Sequence, residues 1–131
     1  MEDSIALDTN ILIDLLREIP ETVKWIKEHE EEYRLVTTII NVFELYAGAY
    51  NDVNVEKKVS DIDKLLQNFK IIDFSIKCAK EAGKQKARLE SQGQMIDRGD
   101  LFIGSIVLSN NLPLKTNNKK HFERIEGLEL V

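Results

Sequence analysis

Short apolar runs alternate with longer segments of helical period along the whole chain, and that alternation restricts the fold more than any other feature. Ser4–Leu7, Leu35–Thr38, Phe69–Phe74, Pro113–Thr116 and Leu128–Val131 are strand-length runs. Between them, Asn10–Arg17, Thr22–Glu31, Ile40–Ala49, Val55–Asn68, Ile76–Ser91 and Asp100–Ser109 read as helices. Each strand-to-strand connection is long enough for a right-handed crossover. The pattern predicts an α/β fold, a three-layer sandwich with a central, mainly parallel sheet. With 131 residues and no linker-like stretch, residues 1–131 are expected to form one domain.

Composition narrows the function classes. Cys78 is the single cysteine, which excludes an internal disulfide framework and a cysteine-based zinc cluster and suits a reducing, cytoplasmic setting. No run approaches the length of a membrane span, and Glu2 and Asp3 stand where a secretory signal carries positive charge. The net charge of −5 is uneven: residues 1–66 carry −8 and residues 67–131 carry +3. An acidic average opposes indiscriminate coating of nucleic acid but allows an acidic pocket beside a basic patch.

In a parallel sheet, ligands sit beyond the carboxyl ends of the strands, so acids there matter most. Asp8 closes the first run, Glu44 interrupts an apolar helix, and Asp100 opens another, with Asp97 three residues earlier. Singly, each has an ordinary explanation: Asp8 as a helix N-cap, Asp97 and Asp100 as first-turn acids favoured by the helix dipole, Glu44 as a solvent-facing or partnered acid. Together they place several carboxylates near one sheet edge, where mutual repulsion calls for a cation. With no histidine or cysteine ligand among them, the oxygen set suits Mg²⁺ or Mn²⁺. Such an ion serves phosphodiester hydrolysis.

Four segments in order, LDTNILID around Asp8, TTIINVFELYAG around Glu44, GDLFIGSIVL from Gly99 and LKTNNKKHFERI from Leu114, resemble the PIN domain. The likeness is to its VapC branch, the toxin ribonucleases of type II toxin–antitoxin pairs, and covers essentially the whole chain. The resemblance implies a homodimeric endoribonuclease that depends on Mg²⁺ or Mn²⁺; in-line attack by a metal-activated hydroxide is then expected to leave 5′-phosphate and 3′-hydroxyl ends. It also implies a VapB-like antitoxin that inhibits by occupying the active-site groove. By position, Asp8, Glu44 and Asp100 resemble the catalytic, metal-holding acids. Thr9 and Asn10 resemble the polar pair that braces them, and Thr116 the hydroxyl after the fourth strand. Asn118 stands where the family often has a fourth acid, so a second metal is expected to bind more weakly, with Asp97 the candidate to compensate.

Lys119 and Lys120, beside this site, are the candidates for phosphate contacts. Lys77, Lys80, Lys84 and Arg88 form a stripe along one helix and read as a solvated face. On the same helix Ile76, Ala79, Gly83 and Ala87 are expected to pack inward. His121 reads as a structural or surface residue, His29 as solvated, and Cys78 as an inert, partly buried thiol. Trp25, Phe43, Tyr46 and Tyr50 suit core packing or a dimer face. Competing readings are a processing nuclease outside a toxin pair, or a PIN fold that binds RNA or a partner without cutting. A phosphoacceptor (receiver) domain would use Asp73, but it would need paired acids after the first strand and a late Lys-Pro, both missing. A haloacid-type phosphatase would need an acid at Asn10.

Overall fold

The computed structural model describes residues 3–131. Strand β1 (Ser4–Leu7) leads into α1 (Thr9–Leu16) and α2 (Pro20–His29). Then follow β2 (Arg34–Thr38), α3 (Ile39–Tyr50), α4 (Val55–Leu66), β3 (Lys70–Ile72) and α5 (Ile76–Ser91). The chain ends with α6 (Arg98–Ser109), β4 (Leu114–Lys115) and the single turn α7 (Lys119–Phe122). All pairings are parallel, in the order β3-β2-β1-β4. The predicted three-layer sandwich is therefore observed. The chain adds β2 and β3 on one side of β1 and then crosses to add β4 on the other. The crevice between β1 and β4 is a topological switch point, the place where open α/β sheets bind ligands.

The period-2 alternation of the strands feeds two cores. Ile5, Leu7 and Leu35 pack with Ile11, Leu12, Leu45 and Ile62 on one face, under α1, α3 and α4. Ala6, Val36 and Leu114 face the other way, onto Ile103, Val107 and Phe122. Gly104 makes close packing possible there, since a Cβ would come within 2.9 Å of Ile125. Phe122 is fully buried and fixes α7 against the sheet edge.

Two expectations change. Leu128–Val131 does not form a fifth strand: it touches β4 through a single bridge, Leu114 to Leu130. Four residues after the Gly127 turn are too few to extend a ladder on a two-residue strand. On α5 the buried face is Cys78, Ala82, Gln85 and Leu89, while Ile76, Ala79, Gly83 and Ala87 are exposed. Alanine and glycine contribute little area to burial, so Cys78 and Leu89 set the helix rotation instead. Gln85 is tolerated inside because its amide bonds the chain at Glu126 at both ends, Nε2 donating to O at 3.1 Å and Oε1 accepting from N at 3.1 Å. Among the described residues no helix is long and apolar enough to cross a membrane.

Candidate active site

The ends of β1 and β2 do double duty as helix caps, and this draws the polar groups together. Asp8 follows β1 and caps α1; its Oδ1 accepts from the Thr9 N–H at 2.8 Å. Thr38 ends β2 and caps α3 through a reciprocal box with Asn41. Asn41 is wholly buried, and its Nδ2 reaches over to donate to Asp8 Oδ1 at 3.1 Å and to Thr9 Oγ1 at 2.9 Å. From the far side of the switch point, Thr116 Oγ1 donates to Asp8 Oδ2 at 2.7 Å. Asp8 is thus buried with three donors on its two oxygens.

Glu44 comes from the middle of α3, one turn beyond Asn41, and its Oε1 accepts from Thr9 Oγ1 at 2.5 Å. Thr9 therefore links two acids, Asp8 through its backbone N–H and Glu44 through its hydroxyl. Asp100 lies in the first turn of α6, whose N-cap is Asp97. The Asp97 carboxylate accepts from the Asp100 N–H at 3.3 Å, so Asp97 is the N-cap of α6 and not the first-turn acid expected. A Cβ on Gly99 would stand 2.9 Å from Glu44 Oε2 and 3.0 Å from Asp97 Oδ2, so both carboxylates converge on this glycine.

Burial holds the Asp8 carboxyl above its ordinary range despite its three hydrogen bonds. Burial also raises Glu44, partly offset by Thr9, and the charges of Asp8, Asp100 and Asp97 push it up further. Asp100 is raised by burial and by Asp8 and Asp97, partly offset by the bond with His121. Acids whose ionised forms are disfavoured by one another are what a divalent cation relieves. Among the described residues no three such groups close onto one point as a ready-made cage. The donor set nevertheless fits a hard divalent ion that keeps waters of its own, which Mg²⁺ does.

Around these acids, Asn10 Oδ1 accepts from the Asn117 N–H at 3.3 Å and ties α1 to the loop after β4. The Asn118 N–H donates to Thr116 Oγ1 at 2.9 Å; this backbone bond steadies the hydroxyl that holds Asp8. Lys119 and Lys120 are exposed and line a shallow cleft with Thr116, Asn118 and His121. Lys115, half-buried over the Trp25 ring, is pushed down by burial and by Lys119.

Three participants escaped the sequence reading. His121 is no bystander: its Nδ1 lies 3.2 Å from Asp100 Oδ2. That contact joins α7 to α6 and has no signature in local spacing. Asn41 did leave a signal, as a polar residue on an apolar helix three residues from both Thr38 and Glu44. Gly99 left none beyond its place before Asp100. Away from the site, His29 is half-buried, stacked on Trp25 with ring centroids 4.0 Å apart. Its Nδ1 lies 2.7 Å from the Trp25 carbonyl. Cys78 is fully buried, and β3 ends at Ile72, short of the expected Phe69–Phe74 run, so Asp73 lies just past the strand.

A parallel sheet with carboxylates gathered at its switch point defines the class: a small α/β protein with an acidic site at the ligand-binding edge of its sheet. Comparison with known proteins narrows this. The PIN domain profile matches residues 5–128. Ribonuclease VapC2 of Rickettsia felis is 33% identical over 125 residues, covering 95% of this chain and 93% of that protein. Ribonuclease VapC2 of Haemophilus influenzae is 32% identical over 122 residues, covering 93% and 92%. The crystal structure of Rickettsia felis VapBC2 bound to a DNA fragment from its promoter superposes with a TM-score of 0.90 at 31% identity, covering 97% of this chain and 96% of that one. The chain belongs to the PIN-domain family and, within it, to the VapC ribonucleases.

Proposed function

We propose that residues 1–131 form one PIN-like nuclease unit that cuts RNA, with Asp8, Glu44 and Asp100 holding Mg²⁺ or Mn²⁺. The observation that carries this reading is the convergence of three acids, each raised by burial, at the β1/β4 switch point. A divalent cation held there supplies Lewis acidity toward a phosphate oxygen and lowers the pKa of a bound water. The chain's own part is to position. Three hydrogen bonds fix both oxygens of Asp8, Thr9 aims Glu44, and His121 steadies Asp100. Lys119 and Lys120 present positive charge where the RNA backbone enters. Asn118, a neutral oxygen donor, would weaken a second metal, and Asp97 is committed to its capping bond.

As a toxin of a VapBC pair, the protein is expected to act in the cytoplasm as a homodimer. A cognate VapB-like antitoxin would restrain it by covering the same acids; the related structures from Rickettsia felis and Haemophilus influenzae are VapBC complexes. The test is cleavage of RNA by purified protein in Mg²⁺, in Mn²⁺ and in chelator, with Asp8→Asn alongside. Cleavage that needs the metal and disappears in the variant is the expected result. Equal cleavage by both proteins would overturn the assignment.

A further inference from the structure

The lysine stripe of α5 is more than a solvated edge. Lys77, Lys80 and Lys84, with Arg88 beyond them, form one wall of an elongated groove of about 520 Å³ closed on the other side by Ser109 at the end of α6. The groove lies outside the acid cluster and shares no residue with it. Its charged lining is four basic side chains against Glu81 and Glu126, a net +2 in a chain of −5.

Neither acid forms an ion pair with a lysine of the stripe. Glu81 accepts from Gln85 Nε2 at 2.9 Å, and Glu126 sits 3.3 Å from Arg88 Nε. Arg88 is also spent on the Gln85 side chain and on the carbonyl of Arg124. Among the described residues Lys77, Lys80 and Lys84 pair with no carboxylate, and all three are exposed. The Cβ atoms of neighbours three and four apart on a helix stand about 5–6 Å from one another, so the three lysines spring from one side of α5.

The groove also leads somewhere. Arg88 bonds the backbone at Arg124, three residues after His121, and His121 touches Asp100. The row of lysines spans about 16 Å of helix, counting from Arg88 to Lys77. Of its lining, Leu108 alone is apolar. An acidic peptide would need apolar anchors to bind here, whereas a phosphate backbone needs only charge.

We infer that this groove is a secondary track for the RNA backbone, holding phosphates remote from the scissile bond. The inference rests on the RNA-cutting reading above. It adds that long RNA is bound through α5 as well as through the acid site.

The test compares wild type with the triple variant K77Q/K80Q/K84Q on two substrates: a short oligonucleotide spanning only the cleaved bond, and a long RNA containing the same bond. The expected result is a five- to tenfold rise in KM for the long RNA with kcat unchanged, and no change on the oligonucleotide. For single-stranded contacts, the salt dependence of kcat/KM on the long RNA should shallow by about 2 in log–log slope, from roughly 0.7 per phosphate released. Unchanged KM and salt slope on the long RNA would overturn the proposal. A second arm measures fluorescence polarisation of the long RNA on Asp8→Asn with and without the three lysine changes. If wild type cuts no RNA, the nuclease reading fails, yet lysine-dependent binding in this arm would still support the groove and lysine-independent binding would overturn it. Loss of binding to a polyglutamate probe, with RNA binding intact, would overturn it in favour of an acidic polypeptide.

Discussion

The Thr116 hydroxyl donates to Asp8 Oδ2 at 2.7 Å across 108 positions of sequence, bridging the two strands that flank the switch point. The same oxygen accepts from the Asn118 N–H. Thr116→Val keeps the shape but leaves one oxygen of a buried carboxylate and one backbone N–H without their partner. An unsatisfied buried group costs about 1–3 kcal/mol, so a stability loss in that range is expected from urea unfolding. Losing the donor should also push the Asp8 carboxyl further up, moving the acid limb of the cleavage profile to higher pH. An acid limb that stays in place would show that Thr116 does not govern Asp8.

Gly99 separates stability from activity. In an exposed first turn of a helix, alanine is favoured over glycine by about 1 kcal/mol. Here the added methyl would come within 2.9 Å of Glu44 Oε2, the end of a flexible side chain that can swing aside. Gly99→Ala should therefore leave the unfolding midpoint unchanged or higher while cutting cleavage about tenfold, the lower end of what disturbing the support of a metal site costs. Full activity in a folded Gly99→Ala protein would mean that Glu44 need not occupy its observed position.

Much of this site was legible because its parts have local causes. Asp8, Glu44 and Asp100 stand out as acids against apolar runs, and the strand–helix alternation places Asp8 at a strand end. Thr9 and Thr116 were found by resemblance, and the structure supplies what they do. The rest depends on tertiary approach. Asn41 caps its own helix and also reaches Asp8, and only the β1–β2 pairing makes the second contact possible. His121 meets Asp100 because Phe122 is buried beneath it. On α5 local pattern misled: Ile76 and three small residues make an apolar stripe, but tertiary packing buries Cys78, Ala82 and Leu89 and leaves Ile76 exposed.

His121 should act on metal affinity more than on chemistry. Its contact lowers the Asp100 carboxyl against burial and the neighbouring acids. His121→Ala removes that support, so Asp100 ionises less readily and the site should need more cation. Titrating cleavage with Mn²⁺ should show a half-saturating concentration raised about 10–100-fold, with the rate recovered at high metal. A rate that stays low at saturating metal would point instead to a direct role for the imidazole in proton transfer.

The strongest test of the acid cluster needs no RNA. Asp8, Glu44 and Asp100 are all raised in the folded protein relative to an unfolded chain. Below the ordinary carboxylate range both states are protonated and the cluster carries no penalty. As pH rises through that range the unfolded chain ionises first, while the folded site keeps its protons until its raised values are passed. The unfolded state then binds fewer protons, so metal-free stability falls over this interval and stays lower above it. Asp8→Asn removes one charge and eases the other two. In chelator at pH 7 the variant should be more stable than wild type by about 1.4 kcal/mol for each unit of elevation abolished, and the gap should close towards pH 4. Adding Mg²⁺ or Mn²⁺ should stabilise wild type and leave the variant nearly unmoved. Urea midpoints measured from pH 4 to 8 with and without metal decide the matter, and a variant that is no more stable than wild type in chelator at pH 7 would refute the picture of three acids raised chiefly by burial.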